Sequence, residues 1–395
     1  MKYDIIHLNK EKWKGTILPI GYTTDSYYDV LVSTQNHEYF VHIEKKLFSE
    51  PIKHSPEDYD FPDKLYEDYW ENAYAWGVVL DDLLIAAIET CPETWSNRLR
   101  VTELWVDERY RRLGIGHALM DIAKEQARLE RRRAIILETQ SCNVNAIEFY
   151  QSEGFSLIGF DSCAYKNNDI DRKEVRLEFG WFPKLKKRFK REDIEIRMET
   201  KDEYHQVEEM TMRAFWNKFK PGCDEHYLVH QLRQDSSYLP SISRIALYQG
   251  EIIGCIMYSK SKVIDGDSTH EVITFGPLCV DPLYQGCGVG ELLMKETIEL
   301  AKNEGYKGIV IFGEPDYYPR FGFVNCDNYH ITTKDSQNFD AFMAYELIPG
   351  GLANVRGKFY EAEVFEHLPE IEIVAFNLQF SKLKKINFPG QWEAK

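Results

Sequence analysis

Two glycine loops, two tyrosines and a few carboxylates are the residues of this chain whose types and spacing could do chemistry. The first loop reads Val106-Asp107-Glu108-Arg109-Tyr110-Arg111-Arg112-Leu113-Gly114-Ile115-Gly116-His117. The second reads Val280-Asp281-Pro282-Leu283-Tyr284-Gln285-Gly286-Cys287-Gly288-Val289-Gly290-Glu291. Val, Asp, Tyr and both glycines recur at a constant offset of 174 residues (280 − 106, 288 − 114, 290 − 116). Glycines let a backbone approach a ligand closely, and a helix start offers unpaired N–H groups to an anion. A phosphate or pyrophosphate is therefore the expected ligand, with a bare strand–helix turn as the alternative. A nucleoside-triphosphate loop needs Gly-Lys-Ser/Thr, but His117 and Glu291 follow the last glycines. A dinucleotide fingerprint needs a third glycine where Leu119 and Leu293 stand. What remains is Arg/Gln-x-x-Gly-x-Gly, running from Arg111 to Gly116 and from Gln285 to Gly290.

The elements that must hold these loops are legible around them. Val101–Val106 is β-branched and apolar, as are Val272–Phe275 and Leu278–Val280, and Pro277 predicts an irregularity in the second strand. Ala118, Leu119, Ile122, Ala123 and Ala127 are spaced for a helix. The offset of 174 persists without a gap to Ile135 and Ile309, so one domain is expected twice. Residues 75–80 and 83–89 form a hairpin signal around Asp81-Asp82, with a counterpart at 244–248 and 252–258. Beyond the repeat the copies diverge. Asn143–Tyr150 starts like a capped helix, whereas Gly313 leads almost directly to Tyr317-Tyr318. The offset from Tyr150 to Tyr318 is 168 (318 − 150), so the second copy has lost six residues there (174 − 168). The expected organisation is a domain over 1–182, a basic linker over 183–193 and a second domain over 194–395. Tyr66, Tyr69 and Trp70 sit at helical spacing and predict core packing. Val374, Phe376, Leu378 and Phe380 alternate and predict an extra strand or interdomain contact. Arg131-Arg132-Arg133 predicts a basic helix end rather than a nucleic-acid patch.

With these motifs in place, the chain resembles the GCN5-related N-acetyltransferases, the GNAT superfamily. The first half is similar to streptothricin acetyltransferases through Leu137-Glu138-Thr139-Gln140, Asn143-Val144, Phe149-Tyr150, Gly154-Phe155, Gly159-Phe160-Asp161 and Tyr165-Lys166. The second half is similar to YhbS-type acetyltransferases through Gly276-Pro277-Leu278, Tyr317–Phe323, Ala341-Phe342-Met343 and Leu347–Gly351. The resemblance implies two tandem α/β (α+β) domains, each a mixed, mostly antiparallel sheet flanked by helices. It places a first strand and first helices within residues 1–72. It implies acetyl-CoA as cosubstrate, held by Val106, Arg111, Arg112, Leu113, Gly114, Ile115, Gly116 and His117. In the second copy the corresponding residues are Val280, Gln285, Gly286, Cys287, Gly288, Val289, Gly290 and Glu291. Asn145, or its neighbour Asn143, is implied for the pantetheine arm. A tyrosine at the place of Tyr150 protonates the departing thiolate in this family, and Tyr318 is its counterpart.

Acetyl transfer to an amine also needs a base, because a free alkyl ammonium has a pKa of about 10.4. Glu103 and Glu138, on strands near the cleft, are the candidates. The position of Glu103 in the second copy is Pro277 (103 + 174), so that copy lacks the first of them.

The chain's 395 residues suffice for two full cores, and its net charge of −16 argues against nucleic acid as a partner while suiting cationic substrates. No apolar run approaches the ~18 residues of a membrane span, and the N-terminus lacks a signal-peptide core. Eight scattered cysteines form no Cys-x-x-Cys, so no metal site is expected and a reduced, cytoplasmic protein, monomeric or homodimeric, is. The expectation is an N-acetyltransferase acting on a cationic small-molecule amine of polyamine, aminoglycoside or streptothricin type. A coenzyme-A-binding regulatory or scaffold protein, and a protein or peptide N-acetyltransferase, are the alternatives.

Overall fold

A computed structural model of the chain describes residues 3–58, 62–183 and 189–391. They belong to two compact units, Met1–Lys184 with Asn387–Gly390, and Leu185–Ile386 with Gln391–Lys395. Of the expected linker, residues 184–188 lie outside the described part. Its end is structured: Phe189 sets its ring 5.3 Å from Tyr248 and 6.1 Å from Tyr284, and Arg191–Asp193 form a 3-10 turn.

The first unit runs β1 (Ile6–His7), α1 (Lys10–Trp13), β2 (Tyr22–Gln35), β3 (Glu38–His54), β4 (Tyr74–Leu80), β5 (Leu83–Glu93), β6 (Arg98–Val106), α2 (Ile115–Leu129), β7 (Ala134–Gln140), α3 (Val144–Ser152), β8 (Ser156–Asp161), α4 (Asp169–Arg172) and β9 (Arg176–Trp181). Its sheet has the order β1-β4-β5-β6-β7-β9-β8. All neighbours are antiparallel except β6 and β7, and a parallel pair requires a crossover, which α2 supplies. Ile115, Leu119, Ile122, Ala123 and Ala127 form the buried stripe of α2.

One detail of this sheet makes a site. Parallel pairing of β6 with β7 covers only Arg98↔Ala134, Leu99↔Ile135 and Arg100↔Ile136, although both strands run on. A β-bulge shifts the register from Thr90↔Val101 to Glu89↔Glu103 and leaves Thr102 as the extra residue. Bulges bend the strand that carries them. Beyond Arg100 the two strands therefore part, and a slot opens between their facing edges, with the glycine loop at the end of β6.

The second unit repeats the plan with β10 (Ile194–Arg197), α5 (Tyr204–Phe215), α6 (Glu225–Leu232), β11 (Arg244–Tyr248), β12 (Glu251–Asp265), β13 (Ser268–Val280), α7 (Val289–Asn303), β14 (Gly308–Phe312), β15 (Val324–Asn325), β16 (Ile331–Thr332), β17 (Phe342–Glu346), β18 (Gly357–Tyr360) and α8 (Glu370–Asn377). The main path is β10-β11-β12-β13-β14-β17-β15, with β13 and β14 parallel at Ile273↔Ile309. Both ends of α7 lie 174 residues beyond those of α2 (289 − 115, 303 − 129). The register shift expected at Pro277 is present, between Ile256↔Leu278 and Tyr258↔Phe275. Both hairpins turn through left-handed pairs, Asp81-Asp82 and Gln249-Gly250, whose positive φ matches strand twist.

Three expectations need correction. Residues 1–72 hold the expected first strand, β1, but among the described residues a single α-helix of four residues, α1, stands there in place of several, and the segment is dominated by β2 and β3, a two-stranded ribbon paired with each other. Its tip turns at Asn36-His37, both at positive φ. Tyr66, Tyr69 and Trp70 are not on a helix. Tyr66 lies in a turn at φ 60°, buried, and donates its hydroxyl proton to the Leu8 carbonyl, while Tyr69 is exposed. Residues 374–380 are not a strand: α8 ends at Asn377, and the buried side chains are Ile373, Phe376 and Phe380, spaced three and four apart. Val374 and Leu378, which suggested alternation, are exposed. The buried stripe packs on Met212, Trp216, Cys223 and Tyr227 within the second unit.

Candidate active site

The two loops close in the same way. Asp107 accepts the Arg109 amide at 2.9 Å, and Asp281 accepts that of Leu283 at 3.0 Å. Arg111 Nε donates to the Val106 carbonyl at 3.0 Å, and Gln285 Nε2 donates to the Val280 carbonyl at 3.0 Å. That shared bond explains why Arg and Gln interchange here: either supplies an N–H that ties the loop to the end of its strand. Arg112 at φ 61° corresponds to Gly286 at φ 71°. Gly114 (φ 79°) and Gly288 (φ 91°) cap α2 and α7 from the left-handed region, where a side chain is strained. Neither cap offers a side-chain acceptor, and the first intrahelical bonds come from Ala118 and Leu292. The amides of residues 115–117 and 289–291 therefore face outward from the positive end of a helix.

Around this cradle the expected residues divide. His117 is engaged by Glu153 at the end of α3 (2.7 Å) and by Asp121 one turn along α2 (3.5 Å), and the pairing raises its pKa. Glu291 pairs with Lys295 at 2.7 Å and Arg191 at 3.3 Å. Arg191 also lies 3.8 Å from the place of a Cβ on Gly288, so a guanidinium stands over the second loop. No sequence signal singled it out, since it belongs to the linker's charge run. Asn143 caps α3 by accepting the Ala146 amide, and Asn145 Nδ2 donates to the Thr23 carbonyl at 3.4 Å. Leu113 is exposed, and Cys287 is half-buried. Of the basic triplet, Arg132 pairs with Glu130 and Arg133 donates to the Ser96 carbonyl.

Aromatic rings cover the second glycine of each motif. A Cβ on Gly116 would stand 3.5 Å from the Phe149 ring, and one on Gly290 only 2.7 Å from the Tyr317 hydroxyl. Phe149 and Tyr317 share the 168 offset of Tyr150 and Tyr318 (317 − 149). Tyr150 is buried against Phe149, Phe155 and Phe179. Burial first, and Glu103 second, hold its pKa well above that of a free phenol.

Glu103 stands on β6 just past the bulge, opposite Glu89 on β5. Burial and the charges of Asp63, Glu89, Glu67 and Glu138 push its carboxyl up to about 9. Asp63 is raised by burial as well. The segment carrying Asp63 and Glu67 is pinned at the slot by backbone bonds: Leu18 donates to Asp63 and Leu65 to Thr16. Glu89, fully buried, accepts from the Tyr66 amide at 2.5 Å and from Thr102 Oγ1 at 2.8 Å. Glu138 is differently placed. It accepts from Arg100 at 3.2 Å and lies 3.6 Å from Arg176, so two guanidinium groups already engage it.

The second unit has no such cluster at the matching positions. Pro277 stands for Glu103 and Phe312 for Glu138 (312 − 138 = 174). Tyr318 is packed among Phe275, Tyr317 and Phe323 and is raised by burial. Six residues shorter, the chain makes one 3-10 turn, Tyr318–Phe321, where the first unit has α3. Glu314 and Asp316 are exposed.

The acetyltransferase (GNAT) family model matches residues 38–155 and again 205–323, more than half of the chain. An uncharacterized N-acetyltransferase of Escherichia coli K12, YjhQ, is 32% identical over 32% of this chain and 67% of its own length. A streptothricin acetyltransferase of Escherichia coli is 31% identical over 29% of this chain and 66% of its own. YhbS of Escherichia coli K12, an uncharacterized N-acetyltransferase, is 29% identical over 34% and 78%. Among solved structures, YhbS from Escherichia coli in complex with CoA has 25% identity and a TM-score of 0.40, covering 45% of this chain and 94% of that one. A nourseothricin acetyltransferase has 22% identity and a TM-score of 0.36, covering 46% and 98%.

Proposed function

Because the chain belongs to the acetyltransferase (GNAT) family, we propose that its first unit moves the acetyl group of acetyl-CoA to a primary amine of a cationic small molecule. The chain is an acyltransferase with acetyl-CoA as cosubstrate. The observation that carries the acceptor reading is the cluster at the slot: burial and four surrounding carboxylates all keep Glu103 protonated. A site that resists its own negative charge this strongly gains most from a bound cation.

In this reading the Gly114 loop cradles the pyrophosphate, and the unpaired edge of β6 receives the thioester arm in the slot. Glu103, in its ionised form, takes the proton that the attacking amine must lose. Tyr150 supplies the proton that the departing thiolate must gain, so protons balance and the pair resets by exchange with solvent. Glu103 is preferred to Glu138 as base because Arg100 and Arg176 keep Glu138 engaged. The streptothricin acetyltransferase among the relatives supports a cationic antibiotic as one acceptor. The second unit keeps the cradle but has Pro277 where the base would stand, which favours acetyl-CoA binding there without turnover.

The acceptor class is tested by mass-spectrometric detection of acetylated product from acetyl-CoA and an amine panel. Streptothricin, aminoglycosides or polyamines are expected to give product. Acetylation confined to lysine peptides or N-terminal peptides would overturn the small-molecule reading.

A further inference from the structure

The second unit contains a cavity of 310 Å³ at the C-terminal end of β14, lined by none of the residues of the Gly288 loop. Its apolar wall is Phe312, Phe339, Phe359 and Tyr360. The Phe312 ring stacks 6.0 Å from Phe339 and 4.9 Å from Phe342, and lies 6.1 Å from Phe359. Phe312 and Phe339 are each 45% exposed, so two large rings face open space although the apolar core lies directly beneath them. The polar side carries Lys334, Asp335, Glu361 and Glu366. Lys334 is held by Glu366 at 2.7 Å, and among the described residues Glu361 forms no ion pair of its own. Burial first, then Glu366, push the Glu361 carboxyl up to about 7.

We propose that this cavity is a second ligand site, one that binds a primary aralkylamine with its ring against the exposed sides of Phe312 and Phe339 and its ammonium on Glu361. The lining selects this class. A carboxylate ligand would meet Glu361, Asp335 and Glu366. A linear polyamine would satisfy Glu361 but leave the rings uncovered, and a neutral arene would cover the rings but leave Glu361 unpaired. An organic cation does both and gains attraction from the ring faces. The volume stands at the lower end of the roughly 300–1,000 Å³ of small-molecule sites, as suits a one-ring ligand. The site is independent of the acceptor reading for the first unit.

The test is calorimetric titration of the full chain with 2-phenylethylamine, phenylacetate and putrescine. Phenylethylamine is expected to bind saturably and at least tenfold more tightly than the other two. Glu361→Gln and Phe312→Ala are each expected to weaken it tenfold or more, while both variants keep a single cooperative melt. Glu103→Gln, in the first unit, is expected to leave it intact. Equal affinity for phenylacetate, no saturable binding to the wild type, or wild-type affinity in both cavity variants would each overturn the proposal.

Discussion

Replacing Glu103 by glutamine is expected to cut kcat/KM for a cationic amine by about 10²–10³ and, at alkaline pH, to make the protein more stable. Both effects follow from one property. The Glu103 carboxyl is raised from an ordinary 4.5 to about 9. Over that interval the folded chain holds a proton that the unfolded chain releases. Stability therefore falls as pH climbs from about 4.5 to about 9, and glutamine, which cannot ionise, escapes the loss. At pH 5 the two proteins should melt alike. At pH 8 the variant should be more stable by about 1–3 kcal/mol, a figure discounted from full linkage because the group borders an open slot. The same property shapes turnover: kcat/KM of the wild type should rise with pH until about 9, where the carboxyl becomes a free base. In the variant that limb should move to the amine's own pKa, about 10.4. Thermal melts at pH 5 and pH 8, with a pH–rate profile, check all three. A variant of unchanged activity, or one destabilised at pH 8, would remove Glu103 from the mechanism.

Removing the Tyr150 hydroxyl should have the second large effect. Tyr150→Phe is expected to lower kcat by about 10²–10³ while leaving the affinity for acetyl-CoA within about twofold of the wild type. The ring keeps its packing against Phe149, Phe155 and Phe179, so the loss isolates proton supply to the thiolate. Tyr318→Phe, the matched change in the second unit, should leave turnover untouched. Steady-state kinetics on both variants, with acetyl-CoA titrations, separate these outcomes. A Tyr150→Phe enzyme with normal kcat and weakened acetyl-CoA binding would assign the ring to packing alone.

The duplication and both loops were readable because identical residue types recur in strict register through a loop, a helix and the start of the next strand. A local rule such as Gly at a left-handed cap leaves its mark on the sequence itself. The paired role of Arg111 and Gln285 was not readable, because both bond a carbonyl five residues back, a contact no residue type announces. The β2–β3 ribbon escaped for another reason. From Leu31 to Val41 it is exposed on both faces, so it shows none of the apolar alternation that marks a half-buried strand. At α8 two patterns coexist in five apolar side chains, and only burial distinguishes Ile373, Phe376 and Phe380 from the exposed Val374 and Leu378. Glu103 could be named from its strand. What surrounds it could not, because Asp63, Glu67 and Glu89 converge from two other segments.

The most direct test of a catalytic first unit beside a second that binds without turnover is acetyl-product yield after disabling one loop at a time. Gly114→Val and Gly288→Val each force a β-branched side chain into a left-handed cap, at φ 79° and 91°. The expected result is that product from a cationic amine vanishes with Gly114→Val and persists with Gly288→Val, which loses only one equivalent of bound acetyl-CoA. Product that survives Gly114→Val and disappears with Gly288→Val would contradict it and place the chemistry in the second unit.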